Sequence, residues 1–288
     1  MTHPGPTPTR PFRSVLYIPG SKERALEKAQ GLAADAIIFD LEDAVAPDEK
    51  IRARAVLAQA LQADYGQRAR IVRINGFDTA WGRDDAAAFA DHPGVDAVLI
   101  PKVSTPADLD AVAAIVSGKP LWAMMETALG MLNAGAVAAH PALQGMVMGT
   151  NDLAKELGTR TRADRLPMMA GLGLCLLAAK AQGRVIVDGV YNAFKDDDGL
   201  RAECEQGRDM GFDGKTLIHP AQLDIANAAF APSDAEIDLA RRQIAAFDAA
   251  LAEGQAVAVV DGRIVENLHI VTAKATLARA DAIAGRSV

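Results

Sequence analysis

Eight short apolar runs, most of them followed by helix-compatible sequence, constrain this chain more than any other feature. They cover residues 14–18, 36–40, 69–74, 97–100, 121–125, 145–148, 185–187 and 215–218. Strands alternating with helices imply a parallel sheet, and eight such units imply closure into a barrel rather than an open sheet. The expected fold class is therefore α/β, a TIM (β/α)8 barrel over residues 12–231. A segment rich in Pro and Thr, 1–11, reads as a flexible N-terminal tail. Beyond the barrel, residues 232–288 read as a helical and hairpin extension, opening on the capping box Ser233-Asp234-Ala235-Glu236 and turning at Asp261-Gly262. That extension is expected to cover the site of its own or a neighbouring subunit. No internal repeat or low-complexity linker divides the chain.

Length and composition agree with this outline. A chain of 288 residues accommodates an undivided α/β barrel. A net charge of -7, with no basic block, argues against nucleic acid as partner. An anionic small substrate stays open, because one Arg or a metal reverses the sign inside a single cleft. Cys175 and Cys204 lack metal-ligand spacing and suggest a reducing, cytoplasmic setting. The N-terminus lacks the apolar core of a signal peptide, and no apolar run approaches the roughly 20 residues of a membrane span.

The chemistry gathers where the strands end. Residues 36–44, Ala-Ile-Ile-Phe-Asp-Leu-Glu-Asp-Ala, carry an apolar run that stops in Asp40, Glu42 and Asp43. Unpaired buried carboxylates are costly, so such a cluster belongs where a metal, a substrate or basic side chains meet it. Lys50 is near enough in sequence to answer these acids. The turn Pro19-Gly20-Ser21-Lys22 reads as ordinary turn chemistry or as a set of backbone amides for a phosphate. Closure of the barrel would bring Asp40, Glu42, Asp43, Arg73, Lys102, Glu126, Asp152, Asp188 and His219 to one face. Asp188 and His219 are also readable as caps or members of structural ion pairs. Glu126 and Asp152 would be neighbours, and two carboxylates with room for water suit Mg²⁺; no His or Cys cluster supports zinc. Such an ion could hold a 2-oxo acid while Arg73 takes its carboxylate as a fork.

Several segments carry a resemblance. They are Arg13-Ser14-Val15-Leu16-Tyr17-Ile18-Pro19-Gly20, Phe39-Asp40-Leu41-Glu42-Asp43-Ala44-Val45, Val72-Arg73-Ile74-Asn75, Pro101-Lys102, Glu126-Thr127, Gly149-Thr150-Asn151-Asp152-Leu153, and Gly211-Phe212-Asp213-Gly214-Lys215 leading to Ile218-His219-Pro220. In this order they resemble the citrate lyase beta-subunit-like family within the HpcH/HpaI aldolase/citrate lyase superfamily, which includes malyl-CoA and citramalyl-CoA lyases. The resemblance implies a barrel with Mg²⁺ on Glu126 and Asp152 and the oxo-acid carboxylate on Arg73. Lys102 would assist substrate binding. Glu42 and Asp43 would hold metal-bound water and fix the basic groups.

The implied reaction is reversible carbon–carbon cleavage of a 3-hydroxyacyl-CoA thioester to a 2-oxo acid and an acyl-CoA. Two alternatives stand beside this expected lyase: a malyl-CoA-type thioesterase, and a citrate lyase beta subunit acting on a carrier-protein thioester. Many relatives use an Asp in a C-terminal Gly-Lys-Met-Ile-Asp-like stretch of a neighbouring subunit as base. Here Gly262-Arg263-Ile264-Val265-Glu266 takes that place, making Glu266 the candidate base. Implied partners are CoA thioester and 2-oxo acid substrates and further copies of the chain, as a trimer or hexamer.

Overall fold

A computed structural model describes residues 10–286. The expected flexible tail thus lies, up to residue 9, outside the described residues. The chain forms two compact units, Phe12–Phe230 and a C-terminal unit that begins at Ala231.

In the first unit, parallel strands close into a barrel in sequence order. They are β1 (Ser14–Pro19), β2 (Ala36–Asp40), β3 (Ala69–Arg73), β4 (Ala97–Ile100), β5 (Leu121–Met125), β6 (Leu143–Met148), β7 (Val185–Asp188) and β8 (Gly214–Leu217). Around them run α1 (Glu23–Ala29), α2 (Lys50–Ala60), α3 (Gly82–Phe89), α4 (Pro106–Ala113), α5 (Ala128–Leu132), α6 (Ala134–Ala138), α7 (Thr150–Leu157), α8 (Met169–Ala181), α9 (Asp197–Met210) and α10 (Leu223–Ala229). This is the TIM barrel expected from the alternation. Thr105 and Asp108 close a capping box with Pro106 at the first position of α4, as their spacing predicts. Helix α2 gives way after Ala60 to turns in which Asp64 accepts the Gly66 N–H and Tyr65 donates to Leu26 O.

Two apolar layers result from the two-residue alternation of the strands. Val15, Ala36, Ile38, Ala69, Ile71, Leu99, Trp122, Met124, Val147 and Val187 fill the barrel interior. Leu16, Ile37, Phe39, Val72, Val98, Ala123, Met146 and Ile186 face the helices. Gly145 makes room for the interior Trp122, since a Cβ there would lie 2.7 Å from the indole. This alternation decides which strand-end residues enter the site: Asp40 follows Ile38 inward, Arg73 follows Ile71, and Glu126 follows Met124. Asp188 follows Ile186 outward.

The C-terminal unit consists of α11 (Asp234–Ala252), β9 (Ala258–Val260), β10 (Arg263–Val265) and α12 (Asn267–Ala284). Ser233 and Glu236 cap α11 reciprocally. Asp261 and Gly262 join the antiparallel strands with φ of 49° and 73°, the left-handed pair that a tight hairpin turn requires. Phe247, Ala258, Val260, Val265 and Ile270 form this unit's own small core. Among the described residues, no helix is long and apolar enough to cross a membrane.

Candidate active site

Asp40 and Arg73 form the centre of the mouth. They are paired in register across β2 and β3. Asp40 receives Arg73 Nε at 2.7 Å and Nη2 at 2.6 Å, and it also accepts the N–H groups of Glu42 and Ala44. Burial pushes the Asp40 carboxyl up, but the Arg73 charge and these donors overcome burial and hold it below the usual carboxylate range. The fork expected for substrate is therefore engaged on its Nε/Nη2 edge by Asp40. The third nitrogen, Nη1, lies 2.8 Å from Glu42 Oε2 and 3.4 Å from Asp43 Oδ2. Asp43 is otherwise largely exposed.

Glu42 and Glu126 are linked through Lys102. Lys102 Nζ donates to Glu42 Oε1 at 2.6 Å, while its backbone N–H donates to Glu126 Oε1 at 2.8 Å. The second bond depends on a left-handed backbone at Lys102, φ 52°, an unusual conformation for a residue with a side chain. Glu126 is buried, and burial, reinforced by the Glu42 charge against the pull of Lys102 and Arg73, raises its carboxyl to about 7. Burial also raises Glu42, despite Arg73 and Lys102 beside it. Two carboxyls raised together amount to a deficit of positive charge.

Lys50 serves differently from its expected pairing with the acid side chains. Its Nζ donates to the backbone carbonyls of Leu41 (2.8 Å) and Glu42 (2.6 Å), which fixes the turn that carries the acids. Asn75 adds a bond to Leu41 O at 3.0 Å and is held in turn by Asp85.

Asp152 comes from the first turn of α7, directly after β6. Gly149 precedes that helix, and a Cβ on it would run into the Glu126 side chain. The chain thus gives up a side chain to bring the β6–α7 connection against Glu126. Asp152 is half-buried.

Metal chemistry fits this donor set. Among the described residues no group of three or more His, Cys, Asp or Glu side chains is placed to hold a metal ion, so any ion would rest on fewer protein ligands. Glu42 Oε2 is buried and, although close to Arg73 Nη1, has no directed hydrogen-bond partner. Two carboxylates carried after adjacent strands are the kind of donor that suits Mg²⁺, which keeps much of its water.

Asp188 and His219 stand apart. Asp188 turns outward beneath α9 and meets Arg165 Nη1 at 2.7 Å and Lys215 Nζ at 3.0 Å, with Glu203 on Lys215 at 2.6 Å. It is a buried structural ion cluster. His219 Nδ1 accepts the Ala221 N–H, and its ring stacks on Phe194 at 4.7 Å. Both residues take the structural alternatives readable in the sequence. Glu266, in the C-terminal unit, is the exposed N-cap of α12, where its N–H donates to His269 Nδ1 at 3.1 Å. Sequence reasoning passed over Tyr17, the inward residue of β1 lying beneath Arg73, and Arg165, the partner of Asp188. Tyr17 shares the parity of Val15, but that Val15 faces inward is known only from the closed barrel, and no local signal marks Arg165.

Residues 13–220 match the model of HpcH/HpaI aldolase/citrate lyase. The chain belongs to this family. Its fold relatives include CitE from Mycobacterium tuberculosis, crystallised with magnesium, acetoacetate and coenzyme A, at a TM-score of 0.80 and 30% identity, covering 95% of this chain and 99% of that one. Among family members, a (3S)-malyl-CoA thioesterase of Cereibacter sphaeroides is 77% identical over 275 residues, covering 95% of this chain and 96% of the relative. An L-malyl-CoA/beta-methylmalyl-CoA lyase of the same species is 35% identical, with 96% of both chains covered. These figures correct the expected activity. Lyase chemistry was the main reading, but the thioesterase relative is far more similar than the lyase relative, so the alternative takes its place. The expectation was drawn from residues gathered at the barrel mouth, and those by themselves do not specify which bond breaks.

Proposed function

We propose that this chain hydrolyses the thioester of malyl-CoA or a close analogue, giving free CoA and the 3-hydroxy acid. The supporting observation is its 77% identity, across nearly its whole length, to a (3S)-malyl-CoA thioesterase. The geometry is compatible with it. Glu126 and Asp152 would hold Mg²⁺, as in the proposed assignment from sequence. When bound, the ion supplies Lewis-acid contact to substrate oxygens and offsets the charge of the two carboxylates.

The chain's own residues would do the rest. Arg73 Nη1 and Lys102 Nζ present positive charge toward the acid end of the substrate, while Asp40 holds the guanidinium in one orientation. Water adds to the thioester carbonyl carbon, the carbon–sulfur bond breaks, and the sulfur leaves as CoA thiolate to be protonated. Glu42 Oε2 is the acceptor we assign to the water proton: it is a buried oxygen with no directed hydrogen bond, 2.8 Å from Arg73 Nη1, on a carboxyl that burial has made more basic than an exposed glutamate. Hydrolysis needs no α-proton abstraction, so the base role expected of Glu266 is not invoked. The Pro19–Lys22 turn, whose buried Ser21 hydroxyl has no partner among the described residues, is the proposed cradle for a CoA phosphate.

The test is purified protein with (3S)-malyl-CoA and Mg²⁺, followed by thiol titration and mass spectrometry. Free CoA and malate in equal amounts are expected. Acetyl-CoA and glyoxylate without free CoA would overturn the proposal.

A further inference from the structure

Tyr17 occupies the floor of the mouth with a hydroxyl that nothing in the proposed mechanism uses. Its ring belongs to the barrel interior, yet unlike Val15, Leu16 and Ile18 around it, Tyr17 keeps part of its surface accessible. β1 and β5 lie four strands apart in a closed ring of eight, so they face each other across the axis. Tyr17 spans that gap. Its hydroxyl donates to Met124 Sδ at 3.4 Å, while Arg73 sits over its ring at 5.0 Å. Met124 is two residues before Glu126, and the Gly149 position touches both side chains. The hydroxyl therefore ends at the foot of Glu126.

A thioether is a weak acceptor. Phenylalanine would fill the same space without burying a poorly matched donor. Burial raises the phenol, the nearby Asp40, Glu126 and Glu42 charges reinforce this against Arg73, and the group stays protonated at every physiological pH. It is a donor and not a base.

We infer that the Tyr17 hydroxyl is a substrate-contacting donor, exchanging Met124 Sδ for an oxygen of the bound 3-hydroxy acid portion of the substrate. The identity of that acid rests on the hydrolase proposal; the donor role does not.

The experiment compares Tyr17→Phe with wild type in three measurements: melting temperature, kcat/KM for CoA release from (3S)-malyl-CoA, and calorimetric affinity for malate with Mg²⁺. A donor to a carboxylate oxygen predicts a fall of about 10- to 100-fold in kcat/KM and weaker malate binding, with the melting temperature unchanged or higher. A lower melting temperature would show that the hydroxyl is structural and overturn the inference. Unchanged kinetics and unchanged malate affinity would overturn it as well. If wild type releases no CoA, the hydrolase proposal fails by itself, and weaker malate binding by Tyr17→Phe still supports the donor role. Equal malate binding in both proteins, or none in either, then overturns it too.

Discussion

Replacing Glu126 with glutamine should stabilise the protein when divalent metal is removed and destroy its response when metal is returned. The ordinary glutamate value of 4.5 is raised to about 7 at Glu126 by burial and by the neighbouring Glu42 charge. A carboxyl whose value rises on folding contributes stability that is complete below about pH 4.5 and is lost as pH climbs through about 7. At pH 8 the loss is roughly 3 kcal/mol relative to an exposed glutamate, since each tenfold change in proton affinity is worth about 1.4 kcal/mol. Glutamine avoids that cost and keeps a carbonyl oxygen for the Lys102 N–H. At about 2–4 °C per kcal/mol for a domain of this size, the variant should melt roughly 6–12 °C above wild type in chelator at pH 8, and nearly with it at pH 5. Added Mg²⁺ should raise the melting temperature of wild type at pH 8 but not that of Glu126→Gln. Thermal unfolding at two pH values, with and without Mg²⁺, is sufficient. A variant no more stable than wild type in chelator at pH 8 would refute the electrostatic reasoning, and equal Mg²⁺ responses would remove Glu126 from the proposed metal site.

Two further outcomes follow from steric fit and from buried charge. Gly149→Ala places a methyl group against the Glu126 side chain, so CoA release should fall by at least about 10-fold through misplacement of Glu126; an unchanged rate would show that this close approach is unimportant. Asp188→Asn removes one full negative charge from between Arg165 and Lys215 and should cost about 3–5 kcal/mol by denaturant unfolding, while turnover per folded molecule remains near wild type; a neutral effect on stability would contradict the buried-cluster assignment.

The barrel was legible because its signal is local and repeated. Apolar runs of strand length, broken by turn residues and alternating with helix-compatible sequence, admit few other arrangements. The acid centre was legible for the same reason: Asp40, Glu42, Arg73, Lys102 and Glu126 all lie at strand ends, where closure must gather them. Strand order puts Asp152 on the connection after β6, next to the strand that carries Glu126, and Gly149 lets that connection approach the Glu126 side chain. The same logic overreached at Asp188. It ends a strand as Asp40 does, yet it points to the helices.

Facing direction is what the sequence concealed. Barrel strands are covered on both sides, so inward and outward positions are equally apolar and no polar alternation marks the difference. The parity that admits Asp40 and Tyr17 and expels Asp188 therefore appears only with the closed sheet. Partner choice was concealed as well. Nothing in the residue order says that Asp40 rather than a substrate occupies the Arg73 fork, or that Lys50 binds carbonyl oxygens rather than acids, because these outcomes depend on distances of a few ångströms between segments far apart in the chain. The sequence by itself determined the barrel and the residues gathered at its mouth. Only the tertiary structure decided which of those charges neutralise one another and which, like Glu126, are left short of a counter-charge, since that balance depends on burial and on contacts that exist only once the ring has closed.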